Sequence, residues 1–248
     1  MDNRDFIIEA KRAIKDKWTV DTLIKRLVEL VDQTSKAENI LFKAVYDLFF
    51  LYYPEAGIKL EEKERFIEEI KNYIDRDDIS KHLGSPKESM GYDLTGTYIE
   101  VIKDGLKEIS DIRLLINSIE NKIDDLINKN YPNSYAVLTG MITARLISIA
   151  GSMQELAMMP SSKIQILGTE STMFIKGRRT PKYGVIFKHK LVQSADDNLK
   201  GKIAKAVASC GTLAIKTDIF SKEDKKDAIL SELNRRVDKI LGNRKGHR

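Results

Sequence analysis

The sequence predicts an all-α protein: a long antiparallel coiled-coil arm followed by a compact helical domain. Three observations predict it. Val20, Leu23, Leu27, Leu30, Thr34, Ala37, Leu41, Ala44 and Leu48 recur at alternating steps of three and four, a heptad seam over four repeats. Ile99, Ile102, Leu106, Ile109, Ile112, Ile116, Ile119, Ile123 and Leu126 resume the pattern with one three-residue slip, a stammer that locally overwinds a coil. After Tyr131-Pro132 the character changes to helices rich in Gly, Ala and Ser. Two seams separated by a compact stretch favour a hairpin over two core helices of a bundle, because ordinary helices seldom keep such a pattern beyond about 25 residues. The expected division is 1–130 as an arm with a tip insertion at about 54–96, 131–241 as the helical domain, and 242–248 as a basic tail. No internal repeat is visible, and strand content should be close to nil.

Taken in order, residues 4–18 open with a short helix carrying Phe6, Ile7, Ala10, Ala13 and Ile14 on one face. Val20–Tyr52 forms a helix of about 48 Å at 1.5 Å per residue. Pro54 ends it, lacking an amide donor. The dense run Leu48-Phe49-Phe50-Leu51-Tyr52-Tyr53 needs a partner beyond the seam. An amphipathic helix is expected at Leu60–Ile74, with Phe66, Ile67, Ile70 and Ile74 inward, and Gly84, Pro86, Gly91 and Gly96 mark turns. Past Pro132, Asn133 or Ser134 is placed to cap a helix Tyr135–Ile149 that Gly151 ends. Ser161 or Ser162 caps another over Ile164, Ile166 and Leu167. Val185-Ile186-Phe187 is open between strand and buried loop. Lys200–Ile219 and Lys222–Leu241 read as the last two helices.

Among 248 residues, 42% are hydrophobic and 32% charged, which describes neither a disordered chain nor a membrane protein. No apolar run approaches the roughly 18–20 residues of a membrane span, and Met1-Asp2-Asn3-Arg4-Asp5 lacks the pattern of a signal peptide. The single Cys210 excludes an internal disulfide and fits a reducing, intracellular compartment. Net charge is +5, but from Lys163 to Lys216 eleven cations face three acids, 11 − 3 = +8, leaving 31 − 34 = −3 for the rest. A basic segment on a slightly acidic chain points to a local polyanion site.

Catalytic motifs are absent. His82, His189 and His247 are scattered, and no HExxH, GxSxG or CxxC occurs. Gly168-Thr169-Glu170-Ser171-Thr172 lacks the second glycine and the lysine of a phosphate-binding loop. Adjacent acids such as Asp124-Asp125 and Asp196-Asp197 diverge on a helix. The expectation is no enzyme, no metal and no cofactor.

Polyanion binding has candidates. Arg178-Arg179-Thr180-Pro181-Lys182 is a cationic stretch stiffened by proline, Lys188-His189-Lys190 follows, and Lys200, Lys202 and Lys205 open a helix. Tyr183, Phe187 or His189 offers a ring to a base, and arginine forks match phosphate geometry. The bland alternative is a merely soluble surface. The arm likewise has two readings, an intramolecular hairpin or one whose open face dimerises.

At these residues the chain resembles the Nop family, scaffold proteins of box C/D guide-RNA particles and of a spliceosomal relative. The carrying motifs are Ala144–Ser152 (ARLISIAGS), Leu156–Gly168 (LAMMPSSKIQILG), Pro181–His189 (PKYGVIFKH) and Gly201–Ala208 (GKIAKAVA). Upstream, Arg4-Asp5, Ile7-Ile8, Ser89-Met90-Gly91 and Asp93-Leu94 are similar to the family's coiled-coil region. The resemblance implies a helical Nop domain on an antiparallel coiled coil through which two copies associate. It implies a composite ligand, kink-turn RNA held by a small ribosomal-type kink-turn protein, in a particle where fibrillarin methylates ribose 2′-hydroxyls. The RNA-facing residues it implies are Lys182, Lys188, His189 and the helix start with Lys200, Lys202 and Lys205, with Gln165 and the Gly168–Lys176 segment at the RNA stem; the charge pattern adds Lys163, Arg178 and Arg179. The seam residues are Leu23, Leu27, Leu30, Leu41, Leu48, Phe50, Ile102, Leu106, Ile109, Ile116 and Ile123.

The short tail is similar to archaeal members, implying the cytoplasm, or the nucleolus in a eukaryote. The family's separate fibrillarin-binding domain has no counterpart here, so fibrillarin recruitment is not assigned to this chain. A typical GAEK appears as Gly168-Thr169-Glu170-Ser171, and Cys210 stands where relatives often place lysine. The competing functions are the spliceosomal branch and a coiled-coil adaptor whose basic domain binds acidic proteins or membrane surfaces.

Overall fold

The computed structural model describes residues 3–15, 18–169 and 184–242, and among these it is helical with no strand. The helices are α1 (Asn3–Lys15), α2 (Val20–Tyr52), α3 (Pro54–Lys59), α4 (Lys63–Asn72), α5 (Arg76–Leu83), α6 (Gly96–Asn130), α7 (Pro132–Leu138), α8 (Gly140–Ala150), α9 (Met153–Met158) and α10 (Ser161–Ile166). A 3-10 turn (Val185–Lys188), α11 (Lys190–Gln193), α12 (Asp197–Lys216), a π turn (Thr217–Ser221) and α13 (Lys226–Gly242) complete the chain. No described helix is long and apolar enough to cross a membrane. Two compact units emerge, Leu30–Ser118, and Met1–Glu29 with Ile119–Arg248, so their division falls within α2 and α6.

In the unit 30–118, α2 and α6 are antiparallel. Val45 meets Gly105, where a methyl group would come 2.5 Å from the Val45 side chain. Glu38, earlier on α2, meets Arg113, later on α6. The tip is more built than the sequence suggests. Instead of one helix over 60–74 there are three short ones, α3 to α5. They gather Tyr53, Leu60, Phe66, Ile70 and Ile79 onto Phe49, Ile102, Leu106 and Ile109. Phe66 meets Phe49 edge-on at 5.1 Å between ring centres. Each fully buried side chain of this kind contributes about 1.5–3 kcal/mol, which answers what the aromatic run of α2 packs against.

The α2 seam is displaced by one residue from the row read in the sequence. Ile24, Val28, Val31, Glu38, Val45, Phe49 and Tyr52 are buried. Leu23 and Leu30 are 49% and 47% exposed, and Phe50 is 39% exposed. Leu27, Leu41 and Leu48 are half-buried on the flank. On α6, Ile102, Leu106, Ile109 and Ile123 are buried and Ile116 is half-buried. Glu38 shares this buried row with Ile24, Val28, Val31, Val45 and Phe49. Its carboxylate takes Arg113 Nε at 2.7 Å and Lys63 Nζ at 2.9 Å, which lets an acid occupy the core row. Phe6 and Ile7 of α1 are also exposed.

The other unit is built on α12, which packs against α7, α9, α10, α11 and α13. Small residues allow it: a methyl group on Gly211 would sit 2.6 Å from Leu138 of α7. The helix expected over 135–149 is broken. Thr139 takes φ 70° between α7 and α8. Gly140 lies against Asp124 of α6, with only 2.0 Å for an added Cβ. Asn133 and Ser134 do not cap α7; Tyr131 holds that position and Pro132 opens the helix. Both are buried, and they hold the Asp218 carboxylate of the π turn. Pro160, not a serine, precedes α10, while Gly151 does end α8, at φ 106°.

Candidate nucleic-acid interface

The basic segment is anchored by a short main-chain pairing. Gly184 N–H donates to the Gln165 carbonyl at 3.0 Å, and Val185 N–H to the Leu167 carbonyl at 2.8 Å. Gly184 permits this approach, since any Cβ there would lie 1.9 Å from the Leu167 oxygen. Gly168 turns at φ 91°, a region that favours glycine. The chain between these two strands of contact carries Lys176, Arg178, Arg179 and Lys182, and with Tyr183 these lie outside the described residues. The described stretches on either side of it, ending in Thr169 and starting at Gly184, meet at one place through this pairing. Lys163 on α10 and Lys188 at the end of the 3-10 turn are exposed beside that place, and the Gln165 side chain is half-buried.

His189 does not join the surface. It is 7% exposed, its Nε2 lies 3.0 Å from the Val137 carbonyl oxygen, and its Nδ1 accepts the Leu191 N–H at 3.3 Å as the cap of α11. Burial pushes its pKa below the ordinary 6.5, outweighing the opposing bond to Val137. A neutral ring with both nitrogens engaged serves as a structural cap in the free chain. The run Lys188-His189-Lys190 looks uniformly cationic in sequence, yet the fold buries its middle member between two exposed lysines.

The three lysines of α12 also separate. Lys200 is half-buried, its Nζ 2.7 Å from Asp197 Oδ1 and 5.6 Å from the centre of the Phe187 ring. Phe187 is itself half-buried and its carbonyl accepts Gln193 Nε2 at 2.6 Å. Lys202 and Lys205 turn to the opposite neighbour, α13, where they line a groove with Arg236 and Lys239. The last two cations lie beyond the basic segment Lys163–Lys216. The available signal was their i, i+3 spacing, the same as that of Lys202 and Lys205. Cys210 is buried in α12, and burial raises its thiol pKa. Among the described residues no group of His, Cys, Asp and Glu could hold a metal ion.

Comparison with known proteins supplies the lineage. The family model Nop, described as "snoRNA binding domain, fibrillarin", matches residues 30–241. An uncharacterised NOP5 family protein of Methanocaldococcus jannaschii is 29% identical over 237 residues, covering 89% of this chain and 57% of that protein. Nucleolar protein 58 of Schizosaccharomyces pombe is 30% identical over 249 residues, covering 92% of this chain and 48% of its own. The putative nucleolar protein 5-3 of Arabidopsis thaliana is 32% identical over 222 residues, covering 81% and 48%. The chain thus spans about half the length of these relatives. The crystal structure of a fibrillarin/Nop5p complex shares the fold, with a TM-score of 0.55 at 21% identity, covering 89% of this chain and 69% of that one. With the family match running unbroken from the arm through the last helix, this chain belongs to the Nop family.

Proposed function

We propose that the chain is a non-catalytic scaffold of a box C/D guide-RNA ribonucleoprotein. It binds kink-turn RNA together with the kink-turn-binding protein and so supports ribose 2′-O-methylation by fibrillarin. The observation that carries this reading is the match of residues 30–241 to a family described by snoRNA binding. The local geometry supports it: Lys163 and Lys188 are exposed on the two stretches that the main-chain pairing of Gln165 and Leu167 with Gly184 and Val185 holds together. In an archaeal cell the particle works in the cytoplasm, and in a eukaryote in the nucleolus. An electrophoretic shift with kink-turn RNA tests the composite ligand. Affinity is expected to rise at least tenfold, about 1.4 kcal/mol, when the kink-turn protein is present. Equal affinity in its presence and absence overturns the composite surface.

The scaffold self-associates through the outward row of α2. Leu23, Leu30, Ala37, Ala44 and Leu51 repeat every seven residues and are all exposed. A heptad stripe left in solvent supports a second copy as its occupant. Leu30→Asp is expected to give a folded monomer by light scattering with unchanged helicity, because Leu30 lies outside the buried row. A dimer that survives this change and Leu51→Asp would place the contact elsewhere.

A further inference from the structure

α12 and α13 pack on each other, and an open groove of about 410 Å³ lies between them. Its described lining holds four cations, Lys202 and Lys205 from α12, Arg236 and Lys239 from α13, and no carboxylate. Each pair is spaced i, i+3, which sets its members roughly 4.5 Å apart along the helix axis. Like charges gathered this way repel one another in the free protein, and an anion between the rows relieves them.

Arg236 is held in place for such a contact. Its Nε donates to Glu232 Oε1 at 2.6 Å and its Nη1 to Ser209 Oγ at 3.0 Å, leaving further N–H groups of the guanidinium for a ligand. Glu232 cannot neutralise the site alone, since Arg235 also engages it at 2.8 and 2.9 Å. Glu232 therefore divides its charge between two arginines, and only Arg236 of the four groove cations pairs with it. The floor of the groove is apolar, made by Ala206 and Ile240. Rows of cations over an apolar floor suit a sugar–phosphate strand, with phosphates on the rims and riboses below. Charge complementarity selects an anionic occupant, and Lys202 and Lys205 share α12 with Lys200, close to the main-chain pairing that anchors the basic segment.

We propose that this groove is a phosphodiester-backbone site for RNA, which carries the RNA-binding surface onto the last helix and away from residues 163–189. The proposal rests on the scaffold reading for its choice of RNA. The test is binding of the full chain to kink-turn RNA loaded with its kink-turn protein, measured against salt concentration. Each phosphate contact contributes about 0.7–0.9 to the slope of log affinity against log salt. Arg236→Gln with Lys239→Gln should lower the slope by about 1.4–1.8 and weaken binding about 25- to 60-fold at 0.1 M salt. Because Arg236 also bonds within the protein, Lys239→Gln alone, at an exposed position, is measured beside it. It should lose half of that slope, and Lys239→Arg should restore it. Wild-type protein that binds no RNA in either condition defeats both the scaffold reading and this site. Wild-type binding with unchanged slopes in both variants overturns the site alone. So does a result in which the variants lose only binding to polyglutamate, which assigns the groove to an acidic protein.

Discussion

Replacing Asp218 with alanine is expected to lower the stability of the C-terminal unit by about 3–5 kcal/mol, read by denaturant or thermal unfolding. The carboxylate is 8% exposed and takes four bonds. Oδ1 accepts from Asn133 N at 3.1 Å and Asn133 Nδ2 at 2.7 Å. Oδ2 accepts from Ser134 N at 2.8 Å and Ser134 Oγ at 2.6 Å. Hydrogen bonds to a charged acceptor are worth roughly 1.5–3 kcal/mol each but do not add in full. Alanine leaves the first amides of α7 buried without a partner and removes a negative charge from the positive end of that helix. It also loosens Asn133, whose amide links to the Glu223 carbonyl at 2.9 Å and to Lys225 N–H at 2.8 Å. A loss below about 1 kcal/mol would mean that water substitutes for the carboxylate.

Glu38→Ala has the next largest effect, about 3 kcal/mol, because it leaves Arg113 partly buried without its main partner. Arg113 also grips Glu64 with two bonds of 2.6 and 2.9 Å, but that carboxylate is 69% exposed and contributes little. Ion pairs out of water are held at the cost of desolvation, so removing both charges is gentler than removing one. Glu38→Leu with Arg113→Met should return to within about 1 kcal/mol of the parent, and a double variant as unstable as the single one would refute this account. The pH dependence has a definite sign. Burial raises the Glu38 pKa, yet the hydrogen bonds and charges of Arg113 and Lys63 outweigh it and hold the group below its ordinary 4.5. The stabilisation is therefore full above about pH 4.5 and fades as pH falls through the lower folded value. In Glu38→Ala that part of the acid sensitivity should vanish.

The same glutamate explains how far the sequence could be read. Helices, hairpin and order of elements were legible because alternating steps of three and four leave few other folds. The register of α2 was not. Two rows, one residue apart, both repeat with heptad spacing, and the row with Leu23, Leu30, Ala37 and Ala44 is the more uniformly apolar. The tertiary packing of Val45 and Phe49, with the pairing of Glu38 to Arg113 and Lys63, is what the other row offers, and it is distant in sequence. The break at Thr139 was not legible for a like reason, since it accompanies the close approach of Gly140 to Asp124, which is distant in sequence. In the candidate site, charge counting located the region, but charge carries no direction. His189 proved to be buried, Lys200 faces Phe187, and Lys202 and Lys205 face a helix that had been left out of the count.

The outward stripe of α2 has one more consequence. Seven residues fall about 20° short of two full turns of an α-helix, so a strict seven-residue stripe slips sideways around the cylinder by that amount at each repeat. From Leu23 to Leu51 there are four repeats, and the accumulated slip is about 80°. A straight rod laid along the stripe would lose touch with it before the far end. Only a partner that winds left-handedly, with leucines metered at the same interval, follows it throughout. The face thus sorts its occupants by rhythm before any particular side chain is compared, a form of selectivity that a flat greasy surface of equal area does not have.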